Sequence, residues 1–92
     1  MARRSRQAPQ NRKSAEESLV RMYSRRTCGL CDKARAVILT ERERVPFRFE
    51  EITIDGDDEL ERRYGVRVPV VEVNGAEVFE IAVEPTRLRS LL

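Results

Sequence analysis

A chain of 92 residues, 40% hydrophobic and 37% charged, has room for one small domain and excludes a multi-domain enzyme. Its 18 Lys and Arg against 16 Asp and Glu leave a net charge of +2, too little for the fold itself to hold nucleic acid by bulk charge. With no histidine and only two cysteines, Cys28 and Cys31, the chain lacks a Ser/His or Cys/His catalytic pair and a His-ligated metal. It also cannot close a four-ligand zinc site unless carboxylates or a second chain complete it.

Residues 1–18 hold Arg3, Arg4, Arg6, Arg12 and Lys13 against Glu16 and Glu17, with scarcely an apolar residue to bury, and read as a disordered basic tail. Weak, salt-sensitive contact with RNA, DNA or an acidic protein is the most it offers. The body, residues 19–92, carries 13 basic and 14 acidic residues and is close to neutral. The basic start lacks the apolar region of a secretory signal, and no apolar run approaches the ~20 residues that cross a bilayer. A cytoplasmic location and no membrane partner are expected.

Leu19-Val20-Arg21-Met22-Tyr23 is a short apolar, partly β-branched run and predicts a strand, with a loop at Ser24-Arg25-Arg26-Thr27. From Gly29, Leu30, Ala34, Val37 and Ile38 recur at three- and four-residue spacing, which predicts an amphipathic helix ending near Arg44. After Pro46, Phe47 to Ile54 reads as a second strand whose alternation slips at Glu50-Glu51, a candidate bulge. Asp55-Gly56-Asp57-Asp58 supplies a turn and an Asp N-cap, followed by a short helix bearing Leu60 and Tyr64 that Gly65 can end. Asn74-Gly75 between Val68–Val73 and Ala76–Ile81 predicts a β-hairpin, because this pair tolerates positive φ at both turn positions. Pro85 suits the first turn of a last helix, with Leu88, Leu91 and Leu92 as its apolar face.

The order is βαβαββα: an α/β domain with a parallel pair, a hairpin and helices covering one four-stranded mixed sheet. So small a core leaves no spacious substrate cavity, and the chemistry belongs at an element end.

Cys28-Gly29-Leu30-Cys31 puts two thiols within one helical turn, directly after a strand and at a helix start. There the unpaired N–H groups and the positive end of the dipole stabilise an anion and lower a thiol pKa from ~8.5 into a range of roughly 3.5–7.5. Cys28 is the candidate nucleophile and Cys31, close enough to close a short ring, the resolving thiol. Cys31 should be the more buried, because Leu30 and Ala34 beside it face the core. Arg25 and Arg26 should favour the Cys28 thiolate and outweigh Asp32, whose carboxylate should point into water. Spacing alone also allows half of a metal site or an incidental pair. The missing ligands weaken the first, and a strand–CxxC–helix order is a thioredoxin-like redox signature.

These residues, with Tyr23-Ser24-Arg25, Ile52-Thr53-Ile54-Asp55, Glu59-Leu60 and Arg63-Tyr64-Gly65-Val66-Arg67-Val68-Pro69-Val70, resemble a glutaredoxin-like family of the thioredoxin superfamily, in particular small bacterial glutaredoxin-like proteins. The resemblance spans residues 19–92 and implies a thioredoxin-like, glutaredoxin-type fold. It implies that Pro69 is cis and faces the cysteines, so that the Val68 backbone presents an extended substrate to Cys28. Arg25, Arg26 and Thr27 complete the residues expected to meet substrate. The resemblance departs in two places. Ile81-Ala82-Val83-Glu84-Pro85 stands where glutathione users usually carry Gly-Gly and acidic residues, so only Glu84 imitates part of that site. Gly-Leu lies between the cysteines rather than Pro-Tyr or Gly-Pro, and Thr27 precedes them rather than tryptophan.

The expected activity is thiol-disulfide oxidoreduction on protein or low-molecular-weight disulfides, by a monomer. No cofactor is expected beyond the redox-active Cys28–Cys31 disulfide, with glutathione or another external thiol as reductant. The alternatives are zinc or an iron-sulfur cluster held by thiolates of two chains, and a non-catalytic interaction module.

Overall fold

The structure, a computed structural model, describes residues 17–92. The tail expected over residues 1–18 lies outside them except for Glu17 and Ser18. Ser18 belongs to the folded body, since it is 1% exposed and its carbonyl accepts from the Arg48 N–H at 2.9 Å.

Strand β1 (Leu19–Ser24) turns Val20 and Met22 to one face, where both are fully buried, and Tyr23 to the other. This period of two is what a strand covered on both sides requires. Helix α1 (Gly29–Arg44) follows, then β2 (Arg48–Thr53), α2 (Asp58–Tyr64) with a 3-10 turn at Gly65–Arg67, β3 (Val70–Val73), β4 (Ala76–Glu80) and α3 (Pro85–Ser90). The sheet order is β2-β1-β3-β4. β1 runs parallel to β2, from Leu19 opposite Arg48 to Ser24 opposite Thr53, and antiparallel to β3, from Val20 opposite Val73 to Tyr23 opposite Val70. The described residues thus form an α/β domain with a four-stranded mixed sheet and three α-helices in the expected order.

The hairpin turn is the one the sequence encodes, with Asn74 at φ 53° and Gly75 at φ 89°. Asn74 also ties the turn to β1, accepting from the Leu19 N–H and donating its own N–H to the Leu19 carbonyl, both at 2.9 Å. Asp57 caps α2 by accepting from the Leu60 N–H at 3.1 Å, and Pro85 opens α3.

Two local expectations are corrected and one is met in another geometry. The slip at Glu50-Glu51 is not a bulge: β2 pairs with β1 residue for residue, and the irregularity lies between Val71 and Glu72 where β3 meets β4. Each glutamate has its own cation, Glu50 with Arg21 and Glu51 with Arg35, so both fit a regular strand, while buried Phe47 and Ile54 lie just beyond its ends. Gly65 does end α2, as expected, with its N–H donating to the Glu61 carbonyl; its φ of −34° is helical, and the chain continues into the 3-10 turn. Leu30 does not face the core. The buried stripe of α1 is Cys31, Ala34, Ile38 and Glu41, and Leu30, one position off that stripe, is 46% exposed.

Two apolar clusters result. One joins Val20 and Met22 to Ala34 and Ile38 of α1 and Leu88 of α3. The other gathers Tyr23, Cys31, Ile54, Tyr64, Val68 and Val70, with Cys28 packed at its border.

Candidate active site

Cys28 is the N-cap of α1, with extended φ and ψ of −127° and 106°. Its sulfur sits where a Ser or Asp oxygen does in other caps and accepts from the Cys31 N–H at 3.1 Å. An N–H aimed at sulfur, at the positive end of a helix of 16 residues, favours an anionic sulfur. Cys28 and Cys31 form a disulfide with Cα atoms 5.2 Å apart. Cys28 is partly exposed and Cys31 fully buried, so the asymmetry expected of the pair is present although Leu30 does not contribute to it. Burial of Cys31 comes instead from the cluster containing Tyr23, Tyr64 and Val68. Within it the two tyrosine rings stack at 4.1 Å and 16°, and burial, followed by the bond to Tyr23, pushes the Tyr64 phenol above its ordinary pKa.

Thr27, immediately before Cys28, is exposed and has φ 52°. A β-branched residue in the left-handed region costs about 1–3 kcal/mol and is a frequent mark of functional loops. Val68 and Pro69 come to the same end of the sheet. Their peptide bond is cis, Val68 packs in the cluster that borders Cys28, and the Pro69 carbonyl accepts from the Ile81 N–H at 2.8 Å.

The two arginines are placed differently from each other. Arg26 extends into solvent, 79% exposed, while its backbone N–H donates to Asp55 Oδ2 at 2.9 Å. Arg25 donates to Glu61 Oε1 at 2.6 Å, and at 3.4 Å to Asp55 Oδ1 and to the Gly65 carbonyl. Its charge is therefore largely matched by two carboxylates, leaving the helix end as the chief stabiliser of an anion on Cys28. Asp32 points outward, 70% exposed, and pairs with Arg35 at 2.8 Å.

Glu84 has a structural role within the fold. Its carboxylate caps α3, accepting from the Arg87 N–H at 2.7 Å and the Thr86 N–H at 3.2 Å. Ile81, in the segment where glycine was the point of comparison, is 40% exposed with φ 75°. Together with Leu30 and Lys33 it lines a shallow groove of about 90 Å³. Sequence reasoning missed Asp55 and Glu61 as partners of Arg25, because they lie 30 and 36 residues away and only the tertiary fold joins them. Among the described residues no group of three His, Cys, Asp or Glu could hold a metal ion, and no helix is long and apolar enough to cross a membrane.

Among solved structures, the chain is similar to a structural-genomics target protein of X. campestris at 36% identity, covering 77% of this chain and 91% of that one with a TM-score of 0.62. A protein of Nitrosomonas europaea solved by NMR shares 26% identity over 89% and 99% of the two chains, with a TM-score of 0.74. Oxidised mitochondrial thioredoxin 3 from Saccharomyces cerevisiae, at 18% identity, covers 82% of this chain and 76% of its own with a TM-score of 0.60, a likeness of fold. No curated protein matches the chain. The profile described as "Glutaredoxin-like domain (DUF836)" matches residues 19–92, so the chain belongs to this glutaredoxin-like family, on a thioredoxin-type fold.

Proposed function

We propose that the protein is a dithiol-disulfide oxidoreductase in which Cys28 attacks and Cys31 resolves. The observation that carries this reading is the N-cap position of Cys28, with the Cys31 N–H on its sulfur and Cys31 itself buried. In the reduced protein the Cys28 thiolate attacks one sulfur of a substrate disulfide. A Cys28–substrate disulfide forms, the substrate S–S bond breaks, and its first thiolate leaves and takes up a proton. Cys31 loses its proton and attacks the Cys28 sulfur, which releases the second substrate thiolate and forms the Cys28–Cys31 disulfide. Two electrons and two protons pass to the substrate in total, and two external thiol groups, themselves oxidised to a disulfide, return them.

Val68 supports this reading by its place in the cluster bordering Cys28, where an extended peptide can lie along it. The exposed Arg26 and Thr27 flank the same approach. The capped carboxylate of Glu84 and the side chain of Ile81 favour a substrate other than one held as glutathione is in a Gly-Gly-acidic site.

Alkylation of the reduced protein by iodoacetamide across pH, with the modified residue identified by mass spectrometry, tests the premise. Cys28 should label first, with a midpoint well below ~8.5, and Cys31 little. Cys31→Ser should trap Cys28 mixed disulfides, and Cys28→Ser should lose disulfide reduction by more than 100-fold. Turnover by Cys28→Ser at the parent rate would end the proposal.

A further inference from the structure

Two loops must meet for the proposed displacement: Ser24–Cys28, which carries the attacking sulfur, and Gly65–Pro69, which leads to the segment beside it. The β1–β3 ladder that relates them stops at Tyr23 opposite Val70, before either loop reaches its working residue. Beyond that point the link is made by side chains. Arg25 leaves the first loop and its three guanidinium nitrogens reach α2 at Glu61 (2.6 Å), the loop after β2 at Asp55 (3.4 Å) and the second loop at the Gly65 carbonyl (3.4 Å). The other oxygen of Asp55 holds the Arg26 N–H at 2.9 Å, so the same carboxylate fixes the backbone of the cysteine loop. Gly65 is built into this contact. A Cβ there would stand 3.2 Å from Arg25 Nη2, so glycine serves close approach rather than an unusual φ.

We infer that Arg25, braced by Asp55 and Glu61, is a positioning residue that sets the Cys28 loop against the Val68–Pro69 segment, and that it is neither the substrate ligand nor the thiolate partner expected from sequence. The inference rests on the oxidoreductase reading and names a residue that reading does not need. Sulfur displacement requires the attacking, central and leaving sulfurs to be nearly in line, and misplacement by about 1 Å can lower a rate by roughly 100-fold. A planar guanidinium reaching three acceptors fixes that geometry; an ammonium at the same place keeps the charge and loses the fork.

The test is single-turnover reduction of a disulfide-closed peptide by the fully reduced protein, together with iodoacetamide labelling of Cys28, for the parent chain, Arg25→Lys, Glu61→Ala and the double variant. Arg25→Lys should lower the maximal turnover rate about tenfold with the half-saturating peptide concentration unchanged. Glu61→Ala acts on the same link from its other end and should lose several-fold, and the double variant should lose no more than Arg25→Lys alone. The labelling midpoint should stay within a few tenths of a pH unit in all of them, because iodoacetamide does not use the second loop. Parent-like turnover in Arg25→Lys, or multiplied losses in the double variant, would overturn the positioning role while leaving the oxidoreductase reading intact. A raised midpoint in Glu61→Ala or Arg25→Lys would also overturn it, since the cluster would then act on the thiol itself. A parent chain that reduces no disulfide would remove both.

Discussion

The two apolar clusters of this small domain are built by different means. The first is drawn from the middle of regular elements, with Val20 and Met22 of β1 against Ala34 and Ile38 of α1 and Leu88 of α3, and no residue in it bears a reactive group. The second sits at the carboxyl end of β1, contains Cys31 and the stacked pair Tyr23 and Tyr64, and is bordered by Cys28. Around the second, non-glycine residues stand at positive φ at Thr27 and Ile81, and the loops are held by ion pairs of Arg25 rather than by strand ladders. The contrast teaches that the chain separates the part that makes it fold from the part that presents its sulfurs, within a sheet only four strands wide.

The largest stability effect that separates the two comes from one truncation in each. Ile38 and Ile54 are both fully buried, one in each cluster, and Ile→Ala at either should cost roughly 2–5 kcal/mol, read as a lowered urea midpoint. Only Ile54→Ala should also shift the iodoacetamide profile of Cys28, because Ile54 shares a cluster with Cys31 whereas Ile38 does not. Equal shifts from both variants would show that the clusters act as one body.

A smaller effect of opposite sign is expected at Ile81. Its φ of 75° holds a β-branched side chain in a region that glycine enters freely, and 40% of the residue remains exposed, so packing returns little. Ile81→Gly should stabilise the fold by about 1 kcal/mol, a Tm rise of roughly 4–8 °C for a domain of this size. A fall in Tm would show that the side chain is held by contacts stronger than the backbone strain, and would draw the groove beside Leu30 into the stabilising half of the molecule.

Much of this was legible because the decisive signals are local. Asn74-Gly75, Pro85, Asp57 and the strand–CxxC–helix order each act through their own backbone geometry, and each stands in the structure where its chemistry puts it. What was not legible depends on tertiary partners. The phase of α1 is set by which stripe meets the sheet: Glu41, a charge paired with Arg89 at 3.2 Å, lies buried on that stripe, whereas the apolar Leu30 lies off it. The arginine before the cysteines looks from sequence like a neighbour of the thiol. It is instead claimed by carboxylates from two other elements, which no spacing near Cys28 announces.

The smallest expected effect concerns a carboxylate that lies between the two regions. Glu51 of β2 receives two hydrogen bonds from Arg35, at 2.7 and 2.6 Å, and one from the Ser24 hydroxyl at 2.7 Å. The Arg35 bonds hold its carboxyl below the usual range, against the opposing effect of partial burial, with Ser24 adding to the lowering. A group with its pKa depressed in the folded state is protonated first in the unfolded chain. Its contribution is therefore present above the unfolded value of ~4.3 and is lost as pH falls through the folded value. Urea midpoints should show parent and Glu51→Gln differing at pH 7 and converging toward pH 3, with Cys28 labelling the same in both. A difference that persists undiminished at pH 3 would assign the effect of Glu51 to packing rather than charge. A changed Cys28 profile would show that the Arg35 network reaches the sulfurs through Asp32, and the separation between scaffold and site would then be narrower than the two clusters make it.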